Sequence, residues 1–431
     1  MLFASISLAF IQLILILSII FIEYRKKSAS IFLWAMLFIL FGLMHFITVL
    51  SVPTEYPSWV YDHASLFVIG FCIVYLITRA ICPMYPINFP KWSAITERSL
   101  SYEDNKFIKI TSFILFVTVS YRIYGMVNGA GGLMETSWSS GREVGLQSDY
   151  FNAGQIIVCL YNYACAAILL YIFCKKHKQA LYCALLIIAC VIITRNRVVV
   201  LPVMVSLIAY YLYNGTRLSG KKIIILGGIG IVSVFVIYAL QIFRYYGNFI
   251  QFVDQFEFND FINLILGKMS DGKGDIGLRT AFYYFIYHNN QFENFGQGHT
   301  YLRMLLVFLP TSWSMGLKPP DFAISMGTAM GTGIDGFSMH PTLFGDCYAN
   351  FGYWGIFAGV FWALFVQMFD FLLYKQKYII KICLIVLYGN AYIIIGRGAV
   401  YNAYIWLIWG IILMFSVYYL CRRKKIKNVG R

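Results

Sequence analysis

His340-Pro341-Thr342-Leu343-Phe344-Gly345-Asp346-Cys347-Tyr348-Ala349-Asn350-Phe351-Gly352 closes a segment, 244–351, that reads as too interrupted for any membrane-crossing helix, whereas the chain on either side reads as membrane. The segment carries three of the six histidines, His288, His299 and His340. A connection of 108 residues is far longer than most, and loops of that length are functional or disordered. This one is too aromatic and too apolar for disorder. Chemistry is therefore expected in it, on whichever side of the membrane it faces.

Of the 431 residues, 60% are hydrophobic and only 12% charged. An ordinary soluble domain carries nearer a quarter of charged residues, so this composition points to a multi-spanning membrane protein. The net charge of +15 would suit nucleic acid, but the basic residues come in short runs at the ends of apolar segments. That is the distribution of topology signals, and nucleic acid is not expected as a partner. Nine of the ten cysteines lie in or beside apolar spans and Cys347 stands alone in the long loop, so no disulfide framework and no paired-cysteine metal site is expected.

A bilayer core of about 30 Å needs about 20 apolar residues at 1.5 Å each. Eleven segments qualify or nearly do: 2–22, 31–51, 60–82, 110–127, 154–174, 179–194, 198–213, 223–242, 352–374, 378–395 and 399–420. The first lacks a basic leading region and a cleavage site, and reads as a membrane helix rather than a signal peptide. Loops on one side, from Arg25-Lys26-Lys27 to the tail that starts at Arg422-Arg423, hold 22 basic residues, and the alternate loops hold 10. By the positive-inside bias the long loop faces outward and the C-terminus inward. The expected organisation is an all-α polytopic protein: an N-terminal bundle of eight helices (1–242), a large outer loop (243–351), then three helices and a basic tail (352–431). Within the loop, Phe256 to Met269 and Leu278 to Tyr287 read as amphipathic helices, in the outer interface or dipping back into the bundle. The run Tyr301 to Leu309 is apolar and stops at Pro310. Gly227-Gly228-Ile229-Gly230 and Gly355 to Gly359 read as helix-packing glycines.

Seven of the ten outward-facing basic residues are arginines, several of them in pointed positions. Arg195-Asn196-Arg197 makes a whole interhelical turn, Arg397 sits between Gly396 and Gly398, Arg142 lies in a glycine- and serine-rich outer loop, and Arg279 and Arg303 lie in the large one. Arginine at bilayer depth is costly and marks substrate pathways. Its planar fork suits phosphate and pyrophosphate oxygens. The competing reading is that these side chains snorkel to lipid headgroups. Arg122, inside the fourth span, reads as snorkelling or packing. His340 and Asp346, near the entry to the ninth span, are the candidate catalytic bases, since imidazole or carboxylate can take a proton from a sugar hydroxyl. A structural role for either stays open. No zinc-protease histidine spacing and no phosphate-loop pattern occurs, so neither metal nor cofactor is expected.

About eleven helices, short middle helices joined by an Arg-bearing turn, one large late outer loop, and the ending Pro341-Thr342-Leu343-Phe344-Gly345-Asp346-Cys347-Tyr348-Ala349-Asn350-Phe351-Gly352-Tyr353-Trp354-Gly355 together resemble the Wzy-type O-antigen (oligosaccharide repeat-unit) polymerases. The likeness covers the whole chain as architecture and Asp346 to Gly355 as sequence. Family members commonly carry Glu before Tyr-x-Asn-Phe-Gly; here Asp346 stands two residues before Tyr348. The paired Arg-x10-Gly motifs are absent, since Ala153 follows Arg142 at that distance and Asn290 follows Arg279.

The resemblance implies a GT-C-like fold in the inner membrane and metal-independent glycosyl transfer on its periplasmic face. Undecaprenyl-pyrophosphate-linked oligosaccharides would be joined, with Arg142, Arg195, Arg197, Arg279, Arg303 and Arg397 as substrate-binding residues. Membrane lipid, a chain-length regulator and a flippase of the same pathway are the partners it implies. An O-antigen ligase shares the architecture and is the first alternative. A lipid-linked oligosaccharide flippase is the second, and the lack of two similar halves argues against it.

Overall fold

In a computed structural model the protein is described over residues 2–51, 55–85, 87, 100–130, 132, 153–194, 196–213, 220–243, 249–270, 276–291, 297–309, 313–319, 322, 326, 340–398 and 400–422. Every regular element among them is a helix. In chain order these are α1 (Leu2–Lys26), α2 (Ile31–Leu50, with a π-turn at Phe38–Leu43), α3 (Ser58–Ile81), α4 (Tyr102–Ala130), α5 (Ala153–Ala164) and α6 (Ala166–Phe173). They continue as α7 (His177–Thr194), α8 (Leu201–Tyr213), α9 (Gly220–Phe243), α10 (Phe249–Gln255), α11 (Phe258–Ser270) and α12 (Thr280–Tyr287). The last five are α13 (His299–Leu305), α14 (Thr342–Phe351), α15 (Ala358–Lys375), α16 (Tyr378–Arg397) and α17 (Val400–Arg422).

Among the described residues nine helical segments are long and apolar enough to cross a membrane. Arg197–Tyr213 is a shorter apolar helix, and α9 runs 24 residues. The fold is thus an all-α, multi-pass membrane architecture. The segment expected to enter the membrane at 352 is helical from Thr342, giving one 34-residue stretch, Thr342–Lys375. Gly345, Asp346 and Asn350 gave that stretch the look of a loop. Pro341 precedes the helix, and in its first turn the Gly345 amide donates to Thr342 Oγ1 at 3.3 Å. Cys347, expected in a loop, is therefore a buried helical residue.

The chain forms two compact units. The first comprises Met1–Ile87, Gly272–Lys375 and Ala391–Ile405. In it α1 packs on α2 and α3, α3 on α15, and α12 on α3 and α14. Its centre is aromatic: Phe344 meets Phe41 at 5.0 Å and Phe71 at 5.1 Å between ring centroids, and Phe67 meets Phe282 and Tyr348 at 5.4 Å each. Helix α12 buries Ala281, Phe282, Tyr283, Phe285 and Ile286, residues from all round its axis, so of the two expected positions it takes the one inside the bundle. In lipid the hydrophobic effect does little to hold helices together, and close packing and hydrogen bonds take over. Gly359 shows this, since a Cβ there would stand 2.9 Å from the Phe71 carbonyl oxygen.

The second unit comprises Asn88–Asp271, Gln376–Asn390 and Trp406–Arg431. Here α4 packs on α5, α6 and α7, and α6 on α7 and α8. Polar ties add to the packing: Asn390 Nδ2 donates to Asn162 Oδ1, and the Tyr161 hydroxyl to the Val199 carbonyl at 2.7 Å. The Arg122 guanidinium lies 4.6 Å from the Tyr161 ring centroid, which is the packing role its sequence context allowed. Around Gly227, Gly228 and Gly230 of α9 a Cβ would meet nothing within 4 Å among the described residues, so the packing expected of these glycines is not seen there.

Candidate functional site

One group of buried polar residues in the first unit gathers along α14. Asp346 is 1% exposed. Its Oδ2 accepts from Thr300 Oγ1 at 3.1 Å and its Oδ1 from Asn350 Nδ2 at 3.2 Å. Asn350 in turn receives the Thr300 amide on Oδ1 at 3.1 Å, and its carbonyl receives the Gly298 amide at 3.1 Å. These bonds fasten the first turn of α13 along α14. The next residue on α13, Tyr301, lies 3.2 Å from Cys347 Sγ and accepts from Trp362 Nε1 at 3.2 Å. Burial and the charge of Asp346 push the Tyr301 phenol well above its usual range, so it stays protonated.

Arg303 follows Thr300 by three residues, on the same face of α13. It is buried, with its guanidinium 4.5 Å from the centroid of the Tyr401 ring and Nη1 donating to the Pro319 carbonyl. Lys318, also buried, donates to the Leu309 carbonyl at 2.9 Å and holds its ammonium 5.7 Å from the same ring. Two cations thus share one tyrosine. Tyr401 lies just beyond the α16–α17 turn that carries Arg397. That turn meets the start of α14: Gly398, at φ +105°, lies against the backbone of Pro341 and Thr342. Its partner Gly396 packs on Met36 and Leu33. The glycines on both sides of Arg397 are therefore needed for close approach. Half-buried His340 and half-buried Arg397 flank that contact.

Of the residues singled out in the sequence, then, Arg303, His340, Asp346 and Arg397 come together around the head of α14. Arg279 is also buried, and it donates to Thr48 Oγ1 at 3.0 Å and reaches the Tyr283 side chain. Tyr283 continues to His45, 2.6 Å away at Nδ1, whose Nε2 lies 2.8 Å from Ser65 Oγ. Burial raises the Tyr283 phenol, which fits a proton held within this chain. Arg197 lies in the second unit, half-buried at the start of the short helix Arg197–Val200. Arg142 and Arg195 lie outside the described residues.

A second polar cluster has no counterpart among the candidates read from the sequence. Arg79 of α3 pairs with Glu23 of α1 and Asp370 of α15, each at 2.7 Å, with all three side chains nearly inaccessible. Its Nε also donates to Glu23 Oε1 at 2.8 Å and its Nη1 to Gln367 Oε1. Ser30 and Tyr75 donate to Glu23, and Ser28 to Asp370. Each carboxylate oxygen of Glu23 and Asp370 thus accepts at least one hydrogen bond. This is a buried clamp joining three membrane helices. The signal for it was present, because charges inside apolar spans are rare and bound to partners.

No family model, no curated protein and no solved structure matches the chain.

Proposed function

We propose that the chain is a glycosyltransferase of the oligosaccharide repeat-unit polymerase type, with a GT-C-like fold, acting at the periplasmic face of the inner membrane. The observation that carries this reading is the convergence around the head of α14 of a buried carboxylate, a histidine and three cations. Asp346 is tied to α13, Arg303 and Lys318 share Tyr401, and Arg397 sits on the turn that meets Thr342. In this reading a hydroxyl of the incoming unit attacks the anomeric carbon of the growing chain. The base removes the hydroxyl proton, the bond from that carbon to the lipid pyrophosphate breaks, and the pyrophosphate departs with the bonding electrons. Arginines fixed in place beforehand are suited to stabilise that developing charge. Half-buried His340 takes the proton, while Asp346, whose oxygens are held by Thr300 and Asn350, positions α13 and its Arg303. Undecaprenyl-pyrophosphate-linked oligosaccharides are the substrates, and the outer loop faces them.

The test is reconstitution of the full chain in liposomes with lipid-linked repeat units, together with a gene deletion read on a lipopolysaccharide gel. A ladder of products in vitro, and single-repeat molecules in the deletion strain, support the reading. Loss of every repeat from lipopolysaccharide, with lipid-linked polymer accumulating, would mean a ligase. Lipid-linked units trapped on the inner side would mean a flippase.

A further inference from the structure

In the first unit, α2 and the start of α12 are joined by two polar rungs. His45 and Thr48 lie three residues apart on one face of α2. Arg279, in helical torsions at the N-cap of α12, and Tyr283 lie four residues apart on one face of that helix. In the first rung Thr48 Oγ1 gives its own proton to the Met44 carbonyl at 2.8 Å and accepts from Arg279 Nη2 at 3.0 Å. In the second, His45 Nδ1 lies 2.6 Å from the Tyr283 hydroxyl, and the other ring nitrogen, Nε2, lies 2.8 Å from Ser65 Oγ of α3. The His45, Ser65 and Tyr283 side chains are all buried. The Arg279 guanidinium closes the chain, since it also reaches the Tyr283 hydroxyl.

The order of protons along this chain follows from the arginine. A guanidinium has donors and no acceptor, and it keeps its charge inside proteins. Beside it the Tyr283 oxygen accepts, and the hydroxyl proton turns away. Among the described residues that proton has one acceptor to turn to, His45 Nδ1. The imidazole then carries its own proton on Nε2 and gives it to Ser65 Oγ. The reverse order, with the imidazole proton on Nδ1, would leave the phenol proton buried beside a cation with no acceptor, which is a costly arrangement.

We infer that His45, as the neutral tautomer protonated on Nε2, is a positioning residue for Arg279. By taking the Tyr283 proton it keeps the phenol oxygen turned to the guanidinium that Thr48 also holds. That Arg279 binds lipid-linked substrate rests on the proposed function; the proton order does not. The full chain in detergent, isotope-labelled in its histidine ring nitrogens, gives the first test by NMR, with the His45 signals assigned by their loss in His45→Asn. The wild type shows a bare Nδ1 and a protonated Nε2, and a proton on Nδ1 overturns the inference. The second test is the liposome polymerisation assay, in which the variants split by the ring nitrogen they replace. His45→Asn sets an amide oxygen where Nδ1 stood and keeps the Tyr283 bond, whereas His45→Gln reaches the Nε2 position, keeps Ser65 and loses Tyr283. Tyr283→Phe removes a bond to a charged group and raises KM for lipid-linked units about tenfold, with kcat kept. His45→Gln follows it, and His45→Asn stays near the wild type. KM does not depend on how much of the protein is folded, so a merely structural role leaves it unmoved. Equal KM in His45→Asn and His45→Gln, or an unchanged KM in Tyr283→Phe, would make the rungs a packing tie and overturn the inference. Should the wild type polymerise nothing, the proposed function fails, and the ring nitrogens, which need no substrate, still confirm or overturn the proton order.

Discussion

A Cβ built on Gly398 would stand 2.1 Å from the backbone nitrogen of Thr342, so the α16–α17 turn and the first residue of α14 meet backbone to backbone. Both partners carry unusual torsions. Gly398 lies at φ +105°, and Thr342, a β-branched residue, at φ +66°. A left-handed β-branched residue is costly, on the order of 1 to 3 kcal/mol, and persists only where its surroundings hold it. The contact sets the separation of the segments bearing Arg397 and His340, which makes the local strain part of the candidate site.

Gly398→Ala should therefore be poorly tolerated. It adds a clash that only a backbone shift relieves, on top of a left-handed penalty of about 1 to 2 kcal/mol. Gly227→Ala, on a helix where a Cβ meets nothing among the described residues, should be neutral to slightly stabilising. Thermal unfolding of the two variants in detergent compares them directly. Equal midpoints would mean that the turn has room to move.

The Glu23–Arg79–Asp370 clamp predicts a stability effect separate from any activity. Removing one partner of a buried ion pair leaves an uncompensated charge and costs about 3 to 5 kcal/mol. Arg79→Met should do so, and Arg79→Lys should also destabilise, because a point ammonium cannot reproduce a fork that contacts Glu23, Asp370 and Gln367 together. Glu23→Gln/Asp370→Asn combined with Arg79→Met should recover part of the loss. Midpoints that do not shift in Arg79→Met would remove the clamp from the account of stability.

How far such features can be read from sequence depends on the range of the interaction. The apolar spans were legible because bilayer thickness imposes a length on contiguous residues, and all eleven expected segments fall on helices or within a residue of one. The clamp was not assembled, because Arg79 is 56 residues from Glu23 and 291 from Asp370, and no local pattern joins them. The start of α14 was missed for the opposite reason. Its local signals, glycine, Asp and Asn, say loop, while its burial among Phe41, Phe71 and Phe282 makes it helix. At the candidate site, the glycines flanking Arg397 were visible as a pattern, but the partner they make room for, Thr342, was not.

The Tyr401 ring predicts a graded series. If the ring orients Arg303 by cation–π contact, Tyr401→Phe should keep the product ladder and Tyr401→Leu should shorten it, at a cost of about 0.5 to 2 kcal/mol. Arg303→Lys should shorten it too, since the stacked planar fork is lost with the charge kept. Chain-length distributions at matched protein level provide the measurement. A Leu variant as active as the Phe variant would show that the ring does not matter.

The two candidate bases separate by readout. A positioned base contributes about 10² to 10⁴ in rate, so His340→Ala should leave single-repeat molecules dominant at unchanged protein level. Any residual activity should fall less steeply as the pH drops, since the group that must be deprotonated to act as base is gone. Asp346→Asn keeps the shape of the side chain and an oxygen able to accept from Thr300. If Asp346 only fastens α13 to α14, that variant should keep polymer of reduced length with the pH profile unaltered, and Thr300→Val should resemble it. If instead Asp346→Asn abolishes polymer at full protein level while Thr300→Val is mild, the carboxylate itself takes the proton, and His340 belongs to the support of the turn. Two active variants would leave the head of α14 without a base and rest the rate on positioning by the arginines alone.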